Sequence, residues 1–529
     1  MQKAFVNGKI FTAWEELTDA DSFLVEDGLI QWIGRREEMP AFDGEVVDLG
    51  GRRVIPGLID AHMHPVILAD CAQKVSCLPP LVSSIEELVE ELRKKAEEKP
   101  AGEWIQGWGY DEEKFSEHRA PNRWDLDKAS TEHPIELLRS CSHVRSVNSK
   151  ALELAGITRD TPDPVGGEIE RDENGEPTGI LRENARHLVG EILPDKSDEQ
   201  RVQELTDLGK QLSSQGIVAV MDMGNLESED FYDCYQRAAQ GGLKQEIGLF
   251  YIWDLIRKNK RFQWNEQRAD PEQQIHMSGI KLIADGSIGG RTAWMYQPYK
   301  GSVDEYGISV CTDEEIDSAM AFCKGNGCQL SFHAMGMRTI DRILDRVGGE
   351  KPWIEGAPHI RIEHTTDPSE RAIKTAARSG IAFCTQSIFL YSEIESYLNN
   401  LGIDWIKRIY PIQHILDSGV KTALSTDAPA TSWAVPSDPF PNIKCAVTRY
   451  AYDGTDCGRE NCISIETALA LYTREAAQIA GFRRLGQLRP GYKASFAVLS
   501  EDILRIPEDK IDQVCVEETY INGNCIYHK

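Results

Sequence analysis

Short β-rich runs, each bounded by turn residues, recur through the middle of this chain and alternate with helical patterns. They are Leu58 to His62, Ile217 to Met221, Ile247 to Ile252, Ile280 to Ala284, Gln329 to His333, Ile360 to His364, Ile381 to Cys384 and Thr422 to Thr426. Strands that alternate with helices pair in parallel, and eight of them close into a (β/α)8 TIM barrel, an α/β fold. The stretch from Asp313 to Lys324 typifies the helical patterns: Thr312 opens a Thr-x-x-Glu start signal, and Gly325 follows the last residue. Residues 71–207 separate the first two runs and far exceed an ordinary loop, so they are expected to form an inserted capping subdomain.

Both ends of the chain read differently. Ala4 to Val6, Ile10 to Ala13, Ser22 to Val25 and Leu29 to Ile33 are β-like, with Asn7-Gly8 and Asp27-Gly28 as hairpin cues. Ala494 to Leu499, Cys515 to Tyr520 and Cys525 to Tyr527, with Asn522-Gly523, repeat that style. Each set is too small to close a core alone, so residues 1–53 and 486–529 are expected to combine into one β-sandwich domain. Residues 54–70 and 208–485 are left for the barrel.

Composition narrows the partners. Lys and Arg number 58 against 85 Asp and Glu, a formal net charge of −27, which argues against nucleic acid or an anionic membrane as the main partner. No run approaches the roughly 20 apolar residues that span a bilayer, and the start lacks the apolar core of a secretory signal, so a cytoplasmic protein is expected. The 13 cysteines include no Cys-x-x-Cys pair, which points to reduced, buried thiols and away from a thiolate metal site. A small-molecule substrate fits this balance, because the field of a local site can oppose the global charge.

The chemistry lies in where the histidines fall. Of twelve, His62, His64, His333 and His364 sit at or just beyond the carboxyl ends of proposed strands; Asp427 ends the last strand and Lys281 lies in the fourth. In a barrel all those ends open on one face, so residues far apart in sequence converge. His62 and His64 are two apart on extended chain and therefore point to one side. Imidazole and carboxylate ligands suit Zn²⁺ and similar divalent metals, with a position left open for water.

At these residues the chain resembles the amidohydrolase superfamily, and within it the YtcJ-like group, amidohydrolase family 3. The matching segments are Val54 to His64, Lys281 to Ser287, Ser331 to Gly336, Arg361 to His364, and Thr426 to Pro429. Gly107 to Asp111, His143, Val147 to Leu152 and Gly166-Gly167 match that group more weakly. The resemblance spans nearly the whole chain.

The resemblance implies a metal-dependent hydrolase of C–N bonds in an amide, formamide or cyclic amide. His62, His64, Lys281, His333, His364 and Asp427 would hold one or two divalent ions, Zn²⁺ foremost, with Lys281 aligned to a position that is carboxylated in some members. The metal would lower the pKa of water from about 15.7 towards roughly 7. Asp427 would take the water's proton and return it to the leaving nitrogen, with His333 and Lys281 beside the reacting atoms. Arg291, Gln386, and from the insert His143, Tyr110 and Asp111 are the candidate substrate contacts. The insert leaves the first strand on the site's face and is expected to cover its mouth. A metal-dependent isomerase, lyase or decarboxylase, and a metal-binding protein without turnover, stay open as alternatives. The oligomeric state, a homodimer among the options, is also open.

Overall fold

A computed structural model describes residues 2–140, 143–224, 230–259 and 262–529. Eight parallel strands form one sheet in sequential order: Leu58–Met63, Ile217–Asp222, Glu246–Ile252, Ile275–Ile283, Gln329–Ala334, Ile360–His364, Ala382–Thr385 and Thr422–Leu424. Nearly every residue in them is buried, as befits strands covered by helices outside and packed side chains inside. The fourth strand begins at Ile275, earlier than its apolar run suggests, because His276 and Ser278 interrupt the pattern; His276 pairs with Gly248 of the third strand and Ser278 falls at a register shift. The helix after it is Asp313–Asn326. The Thr312 and Glu315 side chains form a capping box at its start, and Ile316, Ala319, Met320 and Cys323 make its buried stripe. It passes through Gly325 and stops at Gly327, whose φ of 63° supplies the left-handed cap.

The two chain ends build a composite β domain of two sheets. One orders Leu29–Gly34, Ser22–Glu26, Gln2–Val6 and Gly44–Asp48; the other orders Lys9–Ile10, Arg53–Pro56, Phe496–Leu499, Val516–Ile521 and Asn524–His528. Between them lies an aromatic cluster. Phe5 stacks on Phe23 at 4.9 Å and meets Phe496 edge-on at 5.0 Å, while Phe496 stacks on Tyr520 at 4.4 Å. Arg53–Pro56 pairs with Phe496–Leu499, so this sheet runs past the expected edge at residue 53 and passes through Gly57 into the first barrel strand. A Cβ on Gly57 would stand 2.4 Å from Val218 Cγ1, so the Val218 side chain packs directly on the Gly57 backbone.

The inserted residues form a second compact unit, Val66–Glu204 with Ser432–Pro436. Its six-stranded sheet orders Gly167–Arg171, Pro177–Glu183, Val144–Val147, Ile135–Arg139, Ile105–Tyr110 and Val75–Ser76. The helix Ile85–Glu97, capped by Ser84, buries Ile85, Leu88, Val89 and Leu92. Among the described residues no helix is long and apolar enough to cross a membrane.

Two stability predictions follow from this packing. Phe496→Ala opens a cavity in the aromatic cluster and is expected to cost about 3–5 kcal/mol, read from urea unfolding. His276 is buried at 3% exposure against Phe482, and burial pushes its pKa down to about 4. The folded chain therefore keeps His276 neutral while the unfolded chain protonates it below about 6.5, so stability present at pH 7 is lost as pH falls towards 4, by up to about 1.4 kcal/mol per unit. His276→Leu should flatten that part of the stability-against-pH profile; an unchanged profile would refute the assignment.

Candidate metal centre

Parallel strands deliver their carboxyl ends to one face, and the chemistry-bearing side chains gather there. His62 Nε2 lies 3.1 Å and His64 Nε2 3.3 Å from Asp427 Oδ1. The His62 and His364 rings are 4.9 Å apart, and those of His364 and His333 4.4 Å. Lys281 Nζ sits 3.0 Å from His62 Nε2. His62, His364 and Asp427 each bring a ligand atom within 4.8 Å of the others.

The outer nitrogens of the rings fix what the inner ones can do. His62 Nδ1 lies 2.7 Å from the Glu363 carboxylate, and His64 Nδ1 lies 2.5 Å from the Gly224 carbonyl. Both partners only accept, so each Nδ1 carries the proton and each Nε2 faces Asp427 as a bare lone pair. Likewise His364 Nδ1 donates to Gln386 Oε1 at 3.0 Å, which leaves His364 Nε2, buried and without a hydrogen-bond partner. Asp427 Oδ1 is also buried without one. Lys281 Nζ serves His62 Nε2, while His364 Nε2 and Asp427 Oδ1 are left without a hydrogen-bond partner, and this donor set suits a divalent metal.

The electrostatics agree. Burial pushes the Lys281 ammonium down and, together with the adjacent His333, the His364 imidazolium well below its ordinary value. A second cluster, His62, Glu363 and Cys384, also falls within 4.8 Å, but the guanidinium of Arg361 bonds Glu363 at 2.5 Å and excludes a second cation there. His333 Nε2 donates to the Gly286 carbonyl at 3.0 Å, and Asp285 beside it accepts from the backbone N–H groups of Trp294, Met335 and Gly336.

The candidate substrate contacts are placed otherwise. Gln386 is fully buried against His364, whose Nδ1 it accepts from, with its amide donating to Ser425 Oγ at 2.8 Å. Arg291 pairs with Glu305 at 2.8 Å, donates to the Lys300 carbonyl and stacks over Tyr299, which makes it an anchor of its own loop. In the inserted unit Tyr110 is fully buried in that unit's apolar core, its hydroxyl accepting from Ser146. Asp111 caps a short 3-10 turn and pairs with Arg139, and the exposed His143 pairs with Glu183 at 3.0 Å. The residues missed were Asp60, Glu363, Arg361 and Gly224. Arg361 and Glu363 did leave a signal, since two charges two apart in a buried strand share one face and need a reason to be there.

Comparison with known proteins agrees with this geometry. The family model described as the amidohydrolase family matches residues 45–527. The Bacillus subtilis protein YtcJ, named as an amidohydrolase, is 28% identical over the full length of both chains. An N-substituted formamide deformylase from Arthrobacter pascens is 26% identical across 99% of this chain and 98% of its own. The crystal structure of an uncharacterized metal-dependent hydrolase from Pyrococcus horikoshii superposes with a TM-score of 0.72 at 25% identity, covering 96% of this chain and 99% of that one. The chain therefore belongs to the amidohydrolase family and is built as one of its metal-dependent hydrolases.

Proposed function

We propose that the protein hydrolyses a C–N bond in an amide, formamide or cyclic amide of a small organic molecule, with Asp427 as the proton-transfer group. The observation that carries this reading is the convergence of His62 Nε2 and His64 Nε2 on Asp427 Oδ1, all without a proton between them. His62, His64, His333, His364 and Asp427 would hold one or two divalent ions, Zn²⁺ first by ligand type, and Lys281 would join them once carboxylated. Such an ion supplies Lewis-acid polarisation of a carbonyl and acidifies water.

The chain's own residues do the rest. As a carboxylate, Asp427 can take a proton from the attacking water and pass it to the nitrogen as the C–N bond breaks. Glu363, Gln386 and the Gly224 carbonyl hold three rings in the tautomer that leaves Nε2 bare. Burial disfavours the charged form of Lys281, and a neutral amine is the form that adds CO₂ to give a carbamate.

The deformylase relative makes N-substituted formamides the first compounds to assay. Asp427→Asn is expected to leave the far-ultraviolet circular dichroism unchanged and to lower kcat by about 10²–10⁴-fold; near-parental turnover would remove Asp427 from the mechanism. Stripping the protein with a chelator should abolish hydrolysis and lower the melting temperature, and Zn²⁺ at a hundredfold excess over its Kd should restore about 2.7 kcal/mol. Product formed in ¹⁸O-labelled water should carry the label in the carboxylic fragment, and its absence would favour isomerisation or elimination.

A further inference from the structure

Behind His62 lies a fully buried polar group that no ligand role accounts for. Glu363 Oε2 accepts from His62 Nδ1 at 2.7 Å and from Arg361 Nη2 at 3.0 Å. Glu363 Oε1 accepts from Arg361 Nε at 2.5 Å and from Ser331 Oγ at 2.7 Å. The same Arg361 Nη2 donates to the carbonyl of Ala61, the residue before His62, at 2.6 Å. His62, Ser331, Arg361 and Glu363 all have 0% exposure.

An ion pair that merely neutralised itself would need no third partner. Here one guanidinium grips both the backbone entering His62 and the carboxylate that fixes its ring. We infer that Glu363, locked by Arg361 and Ser331, is a positioning residue that holds His62 in its Nδ1–H tautomer and so sets the affinity of the centre for its metal. The inference rests on the metal-dependent reading above.

Its chemistry is specific enough to break cleanly. In Glu363→Gln an NH₂ group must replace one oxygen. Either oxygen faces an Arg361 N–H, Oε1 through Nε and Oε2 through Nη2; one orientation leaves His62 Nδ1–H only a neutral acceptor, and the other turns the NH₂ to His62 Nδ1. His62 must then accept, which moves its proton to Nε2, where the metal would bind.

The test uses the full chain, stripped of metal and titrated with Co²⁺ and Zn²⁺ against a chromophoric chelator, with the Co²⁺ visible spectrum as a second readout. Glu363→Gln should bind 10- to 100-fold more weakly and show an altered Co²⁺ spectrum. Because that variant strands Arg361, two others guard the result. Arg361→Met with Glu363→Gln removes both charges, and Glu363→Asp keeps the charge by Arg361 while withdrawing it from His62. Both are expected to melt near the parent without metal and to show the same weakening. Parental affinity and spectrum in the folded double variant, or in Glu363→Asp, would overturn the inference and reduce the pair to a core salt bridge. If the parental chain itself takes up neither ion, it is the metal-dependent reading that fails.

Discussion

The barrel's order stops at a seam, and the site depends on how that seam is closed. The eighth and first strands share no ladder; the sheet runs from one to the other through the remaining six. Asp60 bridges the gap, its carboxylate accepting from Thr426 N and Thr426 Oγ1 on one side and from His62 N on the other. Beside it Asp427 N donates to the His62 carbonyl and His64 N to the Ala428 carbonyl. Three of the converging side chains, His62, His64 and Asp427, therefore hang on the few bonds that join the two edges. Burial pushes Asp60 up to about 7, the cost of placing a carboxyl there, and its three donors offset that cost.

The seam also explains a division of labour among buried charges. The chain carries a formal net charge of −27, and at the carboxyl end of the barrel several buried charges have partners of their own. Arg361 holds Glu363, and Tyr235 donates to Asp222, whose other oxygen accepts from Gly224 N. That last bond shapes the turn whose carbonyl orients His64. Gly224 has φ +91°, and a Cβ there would meet Ile252 at 2.9 Å, so the turn is written in glycine. A cluster of ligands at a strand-end face thus implies a deeper layer of acceptors, and that layer is what keeps the lone pairs aimed.

Much of this was legible in the sequence, unevenly and for physical reasons. The strands and the six converging residues could be read because burial on both faces writes continuous apolar runs, and because a histidine or aspartate ending such a run breaks the pattern. The fourth strand's early start was hidden by His276 and Ser278, polar residues of which the tertiary fold buries the first regardless. Gln386 follows a strand, and only the fold reveals that its side chain accepts from His364 Nδ1. Arg291, in its glycine-flanked loop, has its ion partner Glu305 beyond the reach of local pattern reading. Asp60 sits two before His62 and three before Met63 and gives no sign of its role, because its partner Thr426 lies at the other end of the barrel.

Backbone conformation completes the account of why the site is assembled before any substrate arrives. His364 has φ 71° and Asp427 φ 57°, left-handed values that cost non-glycine residues of order 1–3 kcal/mol each and that histidine and aspartate tolerate better than most. At His364 this value ends the strand, whereas Asp427 lies in the turn beyond the last strand, Thr422–Leu424. Both values persist because the neighbours over-determine them: Thr365 N bonds the carbonyls of Ala334 and Glu363, Tyr410 N bonds the Thr366 carbonyl, and Thr431 Oγ1 bonds the carbonyl of Thr426. Tyr410 is in turn fixed by Arg449, a fully buried arginine that donates to the backbone carbonyls of Ile409, Tyr410, Cys457 and Gly458. The strain at the ligands is therefore met by hydrogen bonds made at folding, and the site need not reorganise its backbone to present them.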